Sequence, residues 1–507
     1  MENIIQGITL IFTLKAFLMM ILGSIIGVVM GAIPGLTGTM AIALVMPITL
    51  YVSPWLGIPL ILAIYKTSSW AGSIGSILLN APGNSAAAAM TIEGYEMKKQ
   101  GKGFKALKVT LISGVVGDIF SDIVTIMVCM PLASVALMFG SPEFFLLIVL
   151  ALMVIASIGA ESTAKSLISG GFGIFVAMVG LDPVLASSRL TFGLYQLMDG
   201  VKLIPLMIGA FALSEMIQKL LTREEDATSV KIEIQDSVAD KLKNRYTFKE
   251  FRSNFKVIIR SAIIGTWIGV LPGIGSSVSP WISYTAAKRA SKHPEEYGKG
   301  SVEGLAACQS AANAVCGANL IPLLTLGIPG DTVAAIMIGT LMVHGLSPGP
   351  LIFQRTPEAV YAIFATLLFC DFIYLGVGWV TCHMAKGITT VRNSMMIPFV
   401  VVLCVIGTYA SSNSVFEVYV MLFFGVLGYL MKASGMNVPI FVIAFILGSM
   451  LETNLRQSMI LFNGNLLAIF ARPISIAISA VLFAMIFKTS YDAVKHKTWF
   501  EKTKMGE

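Results

Sequence analysis

The chain has 507 residues, of which 56% are hydrophobic and only 12% charged, and its mean hydropathy is +0.83. A soluble domain carries about 25% charged residues, so the composition excludes a water-solvated globular protein. The net charge of +7 lies in scattered loop lysines and arginines with no organised basic face, which excludes a nucleic-acid-binding surface.

Apolar stretches follow one another in chain order at 8–30, 107–137, 144–158, 203–221, 257–271, 359–380, 395–409, 415–430, 438–451 and 474–487. A helix needs roughly 20 apolar residues to cross the hydrocarbon core. These stretches, with shorter ones between them, predict about 10 to 14 spanning or re-entrant segments. The expected fold is an all-α polytopic membrane protein. The first stretch lacks a small-residue cleavage site and runs on into a Pro-Gly element, so we expect it to be retained. Cys129, Cys308, Cys316, Cys370, Cys382 and Cys404 stand singly in apolar context and read as small buried residues.

Positive loops set the orientation. Lys98, Lys99, Lys102, Lys105 and Lys108 form one cluster, Lys288, Arg289, Lys292 and Lys299 a second, and Lys488, Lys495 and Lys497 mark the tail. Short loops rich in Lys and Arg stay cytoplasmic. The longest polar stretch, 222–256, has mixed charge and no catalytic pattern. It reads as a cytoplasmic linker between a first membrane repeat, 1–221, and a second, 257–507, with the C-terminus also cytoplasmic.

The two halves repeat each other. GAIPGLTGTMA (31–41) has its counterpart in GVLPGIGSSVS (269–279), and ILLNAPGNSAAAAM (77–90) in LLTLGIPGDTVAAIM (323–337). Aligned on Pro82 and Pro329, the pairs Asn84/Asp331, Ser85/Thr332, Ala87/Ala334, Ala88/Ala335 and Met90/Met337 agree in kind. In the first half the connector 51–59 is uncharged and a basic loop follows the second element. In the second half the connector 285–302 is basic and the segment 344–353 after the second element carries no lysine or arginine. Corresponding loops therefore fall on opposite sides, as inverted-topology repeats require.

Pro removes a backbone donor and clashes with the preceding turn, and Gly permits conformations that other residues avoid. Each Pro-Gly element therefore breaks a helix. Broken helices persist at membrane depth only inside protein or beside a water-filled cavity. There the N-terminus of a half-helix presents free N–H groups to an anion, and unwound carbonyls hold a cation.

The candidate anion-binding residues are Pro34, Gly35, Leu36, Thr37, Gly38 and Thr39 in the first break, and Asn80, Pro82, Gly83, Asn84 and Ser85 in the second. Pro272, Gly273, Gly275, Ser276 and Ser277 form the third, and Pro329, Gly330 and Thr332 the fourth. Candidate cation-binding residues are Asp118, Asp122, Gln309, Ser310, Asn313, Thr325 and Asp331. Asp118 and Asp122 lie one helical turn apart, where they serve either a cation or proton relay or a polar seam paired with Lys66. Asp371 and Glu452 sit in apolar spans without an obvious local partner.

Several segments are recognisable. GAIPGLTGTMAIALVMPITL (31–50), GSILLNAPGNSAAAAMTIEGYEMKKQGKGFKALK (75–108) and SKHPEEYGKGSVEGLAACQSAANAVCGANLIPLLTLGIPG (291–330) closely resemble the large membrane subunit of the tripartite tricarboxylate transporter family. So do residues 179–215, 344–353 and 454–475. The resemblance implies secondary uptake of di- or tricarboxylate anions across the inner membrane, driven by Na⁺ or H⁺. It also implies a small membrane subunit and an extracytoplasmic solute-binding protein as partners, and no cofactor. Where that family usually reads A-P-E-S-A-N-N-A, this chain has ACQSAANA (307–314): Gln309 replaces a carboxylate and Ala312 an Asn, while Asn313 remains.

Rival readings are an anion channel, a carrier that works without a binding protein, and a membrane-embedded enzyme. The four histidines show no metal-ligand spacing, and no G-x-S-x-G elbow or P-loop is present. The sequence leaves open the choice of acid, the ion, an elevator or a rocking movement, and assembly as a homo-oligomer.

Overall fold

The computed structural model describes residues 2–33, 35–158, 162–182, 186–222, 244–273, 275–388 and 393–504. Among them the chain is almost wholly helical. The first helices are α1 (Glu2–Ile11), α2 (Leu14–Ala32), α3 (Gly38–Thr49), α4 (Pro54–Leu79), α5 (Thr91–Lys99), α6 (Gly103–Ala136), α7 (Ser141–Ile158) and α8 (Thr163–Ala177). A π-turn at Ile208–Leu213 joins α9 (Leu203–Met207) to α10 (Ser214–Thr222). Then come α11 (Phe248–Val270), α12 (Gly275–Ala290), α13 (Val302–Ala318), α14 (Leu320–Leu326), α15 (Thr332–Val343) and α16 (Pro357–Ile388). The last four are α17 (Asn393–Ser412), α18 (Val415–Ala433), α19 (Val438–Leu461) and α20 (Pro473–Lys504). The strand content described is one two-residue pair, Gly180–Leu181 against Ser188–Arg189.

Among the described residues six helices are long and apolar enough to cross a membrane: Leu14–Ala32, Gly103–Ala136, Leu203–Leu221, Pro357–His383, Val415–Ala433 and Val438–Leu461. Six shorter apolar helices accompany them. The chain is a multi-pass α-helical membrane protein, as its composition predicts. Its burial pattern suits lipid rather than water. Leu18, Phe372, Phe423 and Val426 are exposed, whereas Lys66, Asp118, Asp122 and Asp371 are each at most 1% exposed. The six cysteines are buried free thiols.

Short polar residues set the helix starts. Thr13 accepts from the Ala16 N–H at 3.2 Å and caps α2, and Ser301 does the same for α13 through Gly304. Residues 223–243 of the expected linker lie outside those described. Helix α11 starts at Phe248, upstream of the apolar run, because Thr247 and Glu250 form a reciprocal capping box there.

The chain divides into two compact units, 1–134 with 202–430 and 135–201 with 431–507, so each unit draws on both halves of the sequence. In the second unit, α7 and α8 pack on α19, and α20 packs on α7. Glu452 of α19, without an evident partner in the sequence, receives Arg189 at 2.7 and 3.1 Å and Arg456 at 2.9 Å.

The first unit holds all four helix breaks. Its main packing pairs are α2 on α4 and α11 on α13, and the same residues make both. Gly27 and Gly31 precede Pro34 at the spacing with which Gly265 and Gly269 precede Pro272. A Cβ on Gly31 would lie 2.7 Å from the Ser68 carbonyl of α4, and one on Gly269 would lie 2.7 Å from the Ala318 side chain of α13. Small residues let these helices approach closely, which is how helices associate without a hydrophobic driving force. The halves also exchange contacts. The turn Ala86–Met90 packs on α12 and α13, and reciprocally α15 packs on α3 and α4.

A buried carboxylate fastens one such exchange. Glu93 of α5 is 0% exposed. Its Oε1 accepts from the Gly298 N–H at 2.6 Å and the Tyr284 hydroxyl at 2.7 Å. Its Oε2 accepts from the N–H groups of Gly300 at 2.8 Å and Ser301 at 2.7 Å. Glu93→Gln turns an amide donor toward backbone donors and should cost about 2 kcal/mol. Thermal unfolding in detergent reads this as a lower midpoint, and an unchanged midpoint shows that the latch contributes nothing.

Candidate functional site

The four breaks meet within the first unit. In the first, α2 ends at Ala32, Gly35 takes φ +79°, and Thr37 caps α3 by accepting from the Met40 N–H at 3.2 Å. Pro34 lies outside the described residues. Leu36 is 2% exposed and packs inward, while Thr39 is half-buried in the first turn of α3. Gly38 leaves room for the Ser68 hydroxyl of α4.

In the second break, Asn80 ends α4 in the left-handed conformation (φ +57°), a standard helix stop. The chain then folds back, and the N–H groups of Ala81 and Gly83 donate to the carbonyls of Gly75 and Gly72 at 3.2 and 3.1 Å. Asn84 anchors the turn, donating to the Ser68 and Ser69 carbonyls at 3.4 and 3.3 Å and accepting from Ala87 at 2.8 Å. Pro82 is exposed.

The third break runs through Pro272, Gly273 (φ +83°) and Gly275 (φ +34°) into α12, with Ser276 half-buried in its first turn. In the fourth, Gly327 ends α14 at φ +71° and Pro329 and Gly330 are buried. Asp331 caps α15 by accepting from Ala334 at 2.7 Å, and Thr332 begins that helix.

Three contacts bind the breaks into one constellation. Gly83 sits on the Gly31 carbonyl so closely that a side chain there would collide with it, which joins the first two. The Gly273 N–H donates to the Gly330 carbonyl at 2.7 Å, joining the third and fourth. The Ser85 and Ser277 hydroxyls, both exposed, hydrogen-bond at 2.8 Å and link one half of the sequence to the other. The starts of α3, α12 and α15 therefore gather with small hydroxyl residues between them. Amide donors at helix starts, aided by the helix dipole, make such a place suited to carboxylate groups.

Beside the breaks lies a fully buried polar cluster. Lys66 of α4 donates to Asp122 Oδ2 of α6 and to Asp371 Oδ1 of α16, each at 2.5 Å, and to the Leu367 carbonyl at 3.1 Å. Asp118 Oδ2 accepts from Asn313 of α13 at 2.6 Å, and Asn313 Oδ1 accepts from Gln309 at 2.6 Å. Asp331 stands apart from this chain. Its Oδ2 receives the Tyr65 hydroxyl at 3.0 Å, which itself accepts from Asn319 at 2.8 Å. Of the other cation candidates, Ser310 and Thr325 donate their hydroxyls to the carbonyls of Ile258 and Ile321 at 2.8 and 2.6 Å.

The polar seam between Asp122 and Lys66 is present, and Asp371 belongs to it across 305 residues of sequence. Tyr65, Asn319 and Tyr374 did not stand out in the sequence. Their only signal there is a polar group inside an apolar run, which aromatic rings mask.

Nearly the whole chain has relatives. The sequence model of the tripartite tricarboxylate transporter TctA family matches residues 17–443. The chain belongs to the TctA family. A similar protein from Agrobacterium vitis, described as an uncharacterized 52.8 kDa protein of the TAR-I ttuC' 3' region, is 32% identical over 476 residues, covering 94% of this chain and 93% of the relative. A second, from the TAR-II ttuC' 3' region of the same organism, is 30% identical over 233 residues, covering 46% of this chain and 96% of the relative. No solved structure matches. TctA proteins are the membrane subunits of tripartite transporters, so membership implies partner subunits.

Proposed function

We propose that this TctA protein is the membrane subunit of a cation-coupled carrier that takes up organic di- or tricarboxylates across the inner membrane by alternating access. An extracytoplasmic binding protein delivers the acid, and a small membrane subunit completes the complex. The linker and C-terminus face the cytoplasm. The observation that carries this reading is the convergence of four helix breaks from two sequence repeats, tied by Gly273 to Gly330 and by Ser85 to Ser277.

In this reading the amides after Gly35, Asn84, Gly275 and Asp331 and the hydroxyls of Thr37, Thr39, Ser85, Ser276, Ser277 and Thr332 hold the substrate carboxylates. An anion alone is costly to move through a low-dielectric barrier, and a co-bound cation offsets its charge. Asp118, Asp122, Gln309, Asn313 and Asp331 are the candidate oxygens for that role. The exchanged packing of α15 on α3 and α4, and of Ala86–Met90 on α12 and α13, supports a pairing of two related repeats, which the loop charges make inverted in topology. Such repeats favour a carrier over a pore.

Uptake by proteoliposomes of a panel of radiolabelled organic acids, with and without a sodium or proton gradient, tests the proposal. Saturable, gradient-dependent uptake is expected. Ohmic anion currents in the same membranes identify a channel instead, and chemical conversion of the acid an enzyme.

A further inference from the structure

We propose that protons occupy the cluster around Lys66, and that Asp118 and Asp371 carry the protons that couple to transport. Only the coupling clause rests on the carrier reading above; protonation of the cluster stands on its own geometry.

Three carboxyls and one ammonium share a site in which each is at most 1% exposed. Fully ionised, the site holds two uncompensated negative charges in an apolar interior, where an unpaired ion is too costly to persist and the group neutralises instead. Each carboxyl keeps one oxygen, Asp118 Oδ1, Asp122 Oδ1 and Asp371 Oδ2, with no hydrogen-bond partner among the described residues.

A second set of unpartnered groups points the same way. The Tyr374 hydroxyl and Gln309 Oε1 are buried and lack partners. Tyr374 reaches over Gly114, one turn before Asp118 on α6, where a Cβ would lie 2.8 Å from its hydroxyl and 3.4 Å from Asn313 Oδ1. These are further buried oxygens left without a partner on the helices that carry the cluster. Among the described residues no three Asp, Glu, His or Cys groups are placed to hold a metal ion. Two protons neutralise the site without any coordination shell.

Location gives the protons leverage. Lys66, Asp118 and Asp122 come from the first half of the sequence, and Asp371, Asn313 and Gln309 from the second. Proton loss there places like charges between the halves. The other titratable groups nearby are Cys316 of α13, Cys370 and Tyr374 of α16, and Tyr65 of α4, with Asp331 behind Tyr65. Of the other helices packed on α4, α3 has no titratable group, α2 has only Lys15 in its first turn, and α5 turns Glu93 toward Ser301.

Infrared spectroscopy of the purified protein in nanodiscs at neutral pH tests this directly. The C=O stretch of protonated, buried carboxyls is expected in the wild type, equally strong in sodium and in choline buffer. It should shift in D₂O and lose intensity in Asp118→Asn and Asp371→Asn. A wild-type spectrum without that band, or one that loses it when sodium replaces choline, overturns the proposal whether or not the variants fold. In proteoliposomes containing a pH dye, citrate uptake with internal acidification supports the coupling, and uptake on a sodium gradient without acidification overturns it. If no acid is taken up by vesicles that hold the protein with its small membrane subunit and binding protein, and whose protein shows the band, the carrier reading fails and the protonated cluster stands.

Discussion

Lys66→Met should be among the most destabilising single substitutions in this protein. The ammonium holds two carboxyl groups at 2.5 Å and the Leu367 carbonyl at 3.1 Å, all out of contact with solvent. Removing one partner of a buried pair leaves the other uncompensated, at a cost of about 3–5 kcal/mol. That is a large part of the roughly 5–15 kcal/mol that holds a domain folded. Thermal unfolding in detergent should show a much lower midpoint and loss of monodisperse protein. Methionine fills a similar volume, so the loss reports charge rather than a cavity. The double variant Lys66→Met/Asp371→Asn should recover part of it, because one orphaned acid is then removed. Additive effects in that cycle would show that the two groups do not interact.

Gly273→Val should leave the protein inserted in the membrane and abolish uptake. Gly273 has φ +83° and donates its N–H to Gly330 at 2.7 Å, the bond that joins two breaks. An L-residue in the left-handed region costs about 1–2 kcal/mol, and a β-branched one more. The cheapest relief is to turn the peptide and release the bond, which misaims the amides at the start of α12. A misfit of about 1.4 kcal/mol already means tenfold in affinity, so uptake of radiolabelled acids should fall at least about tenfold. Gly35→Val, at φ +79° and with the end of the Lys219 side chain where its Cβ would go, should behave alike. Membrane insertion depends on apolar helices that neither substitution touches. Wild-type uptake by both variants would remove these breaks from the binding site.

Much of this architecture was legible because Pro and Gly act locally. A Pro-Gly pair stops a helix whatever surrounds it, so the breaks near Gly35, Gly83, Gly273 and Gly330 appear where the wording of the sequence put them. The capping role of Asp331 and of Thr37 was likewise a matter of one turn of chain. The glycines before the breaks carried a further signal: their matched spacing at Gly27/Gly31 and Gly265/Gly269 marks the faces on which α2 and α11 lie against α4 and α13.

Partnerships over long separations were not legible in the same way. Asp371 had no visible partner because Lys66 lies 305 residues away, and Glu452 none because Arg189 lies 263 away. Gln309, standing where the family resemblance implies an acid, looked like an isolated loss of charge, whereas the structure makes it the end of a chain through Asn313 to Asp118. Glu93 sits in a short polar helix beside a basic loop with nothing local to mark it, yet it binds the backbone that leads into α13.

By itself, then, the sequence determined the solvent of this protein, the helical class and the positions of the broken helices, because apolar run length and the backbone chemistry of proline and glycine are properties of short stretches. Only the tertiary structure decided which breaks touch and which acid answers which base. Those are set by close packing between halves, where a hydrogen bond or an ion pair exists only if both groups arrive within about 3 Å.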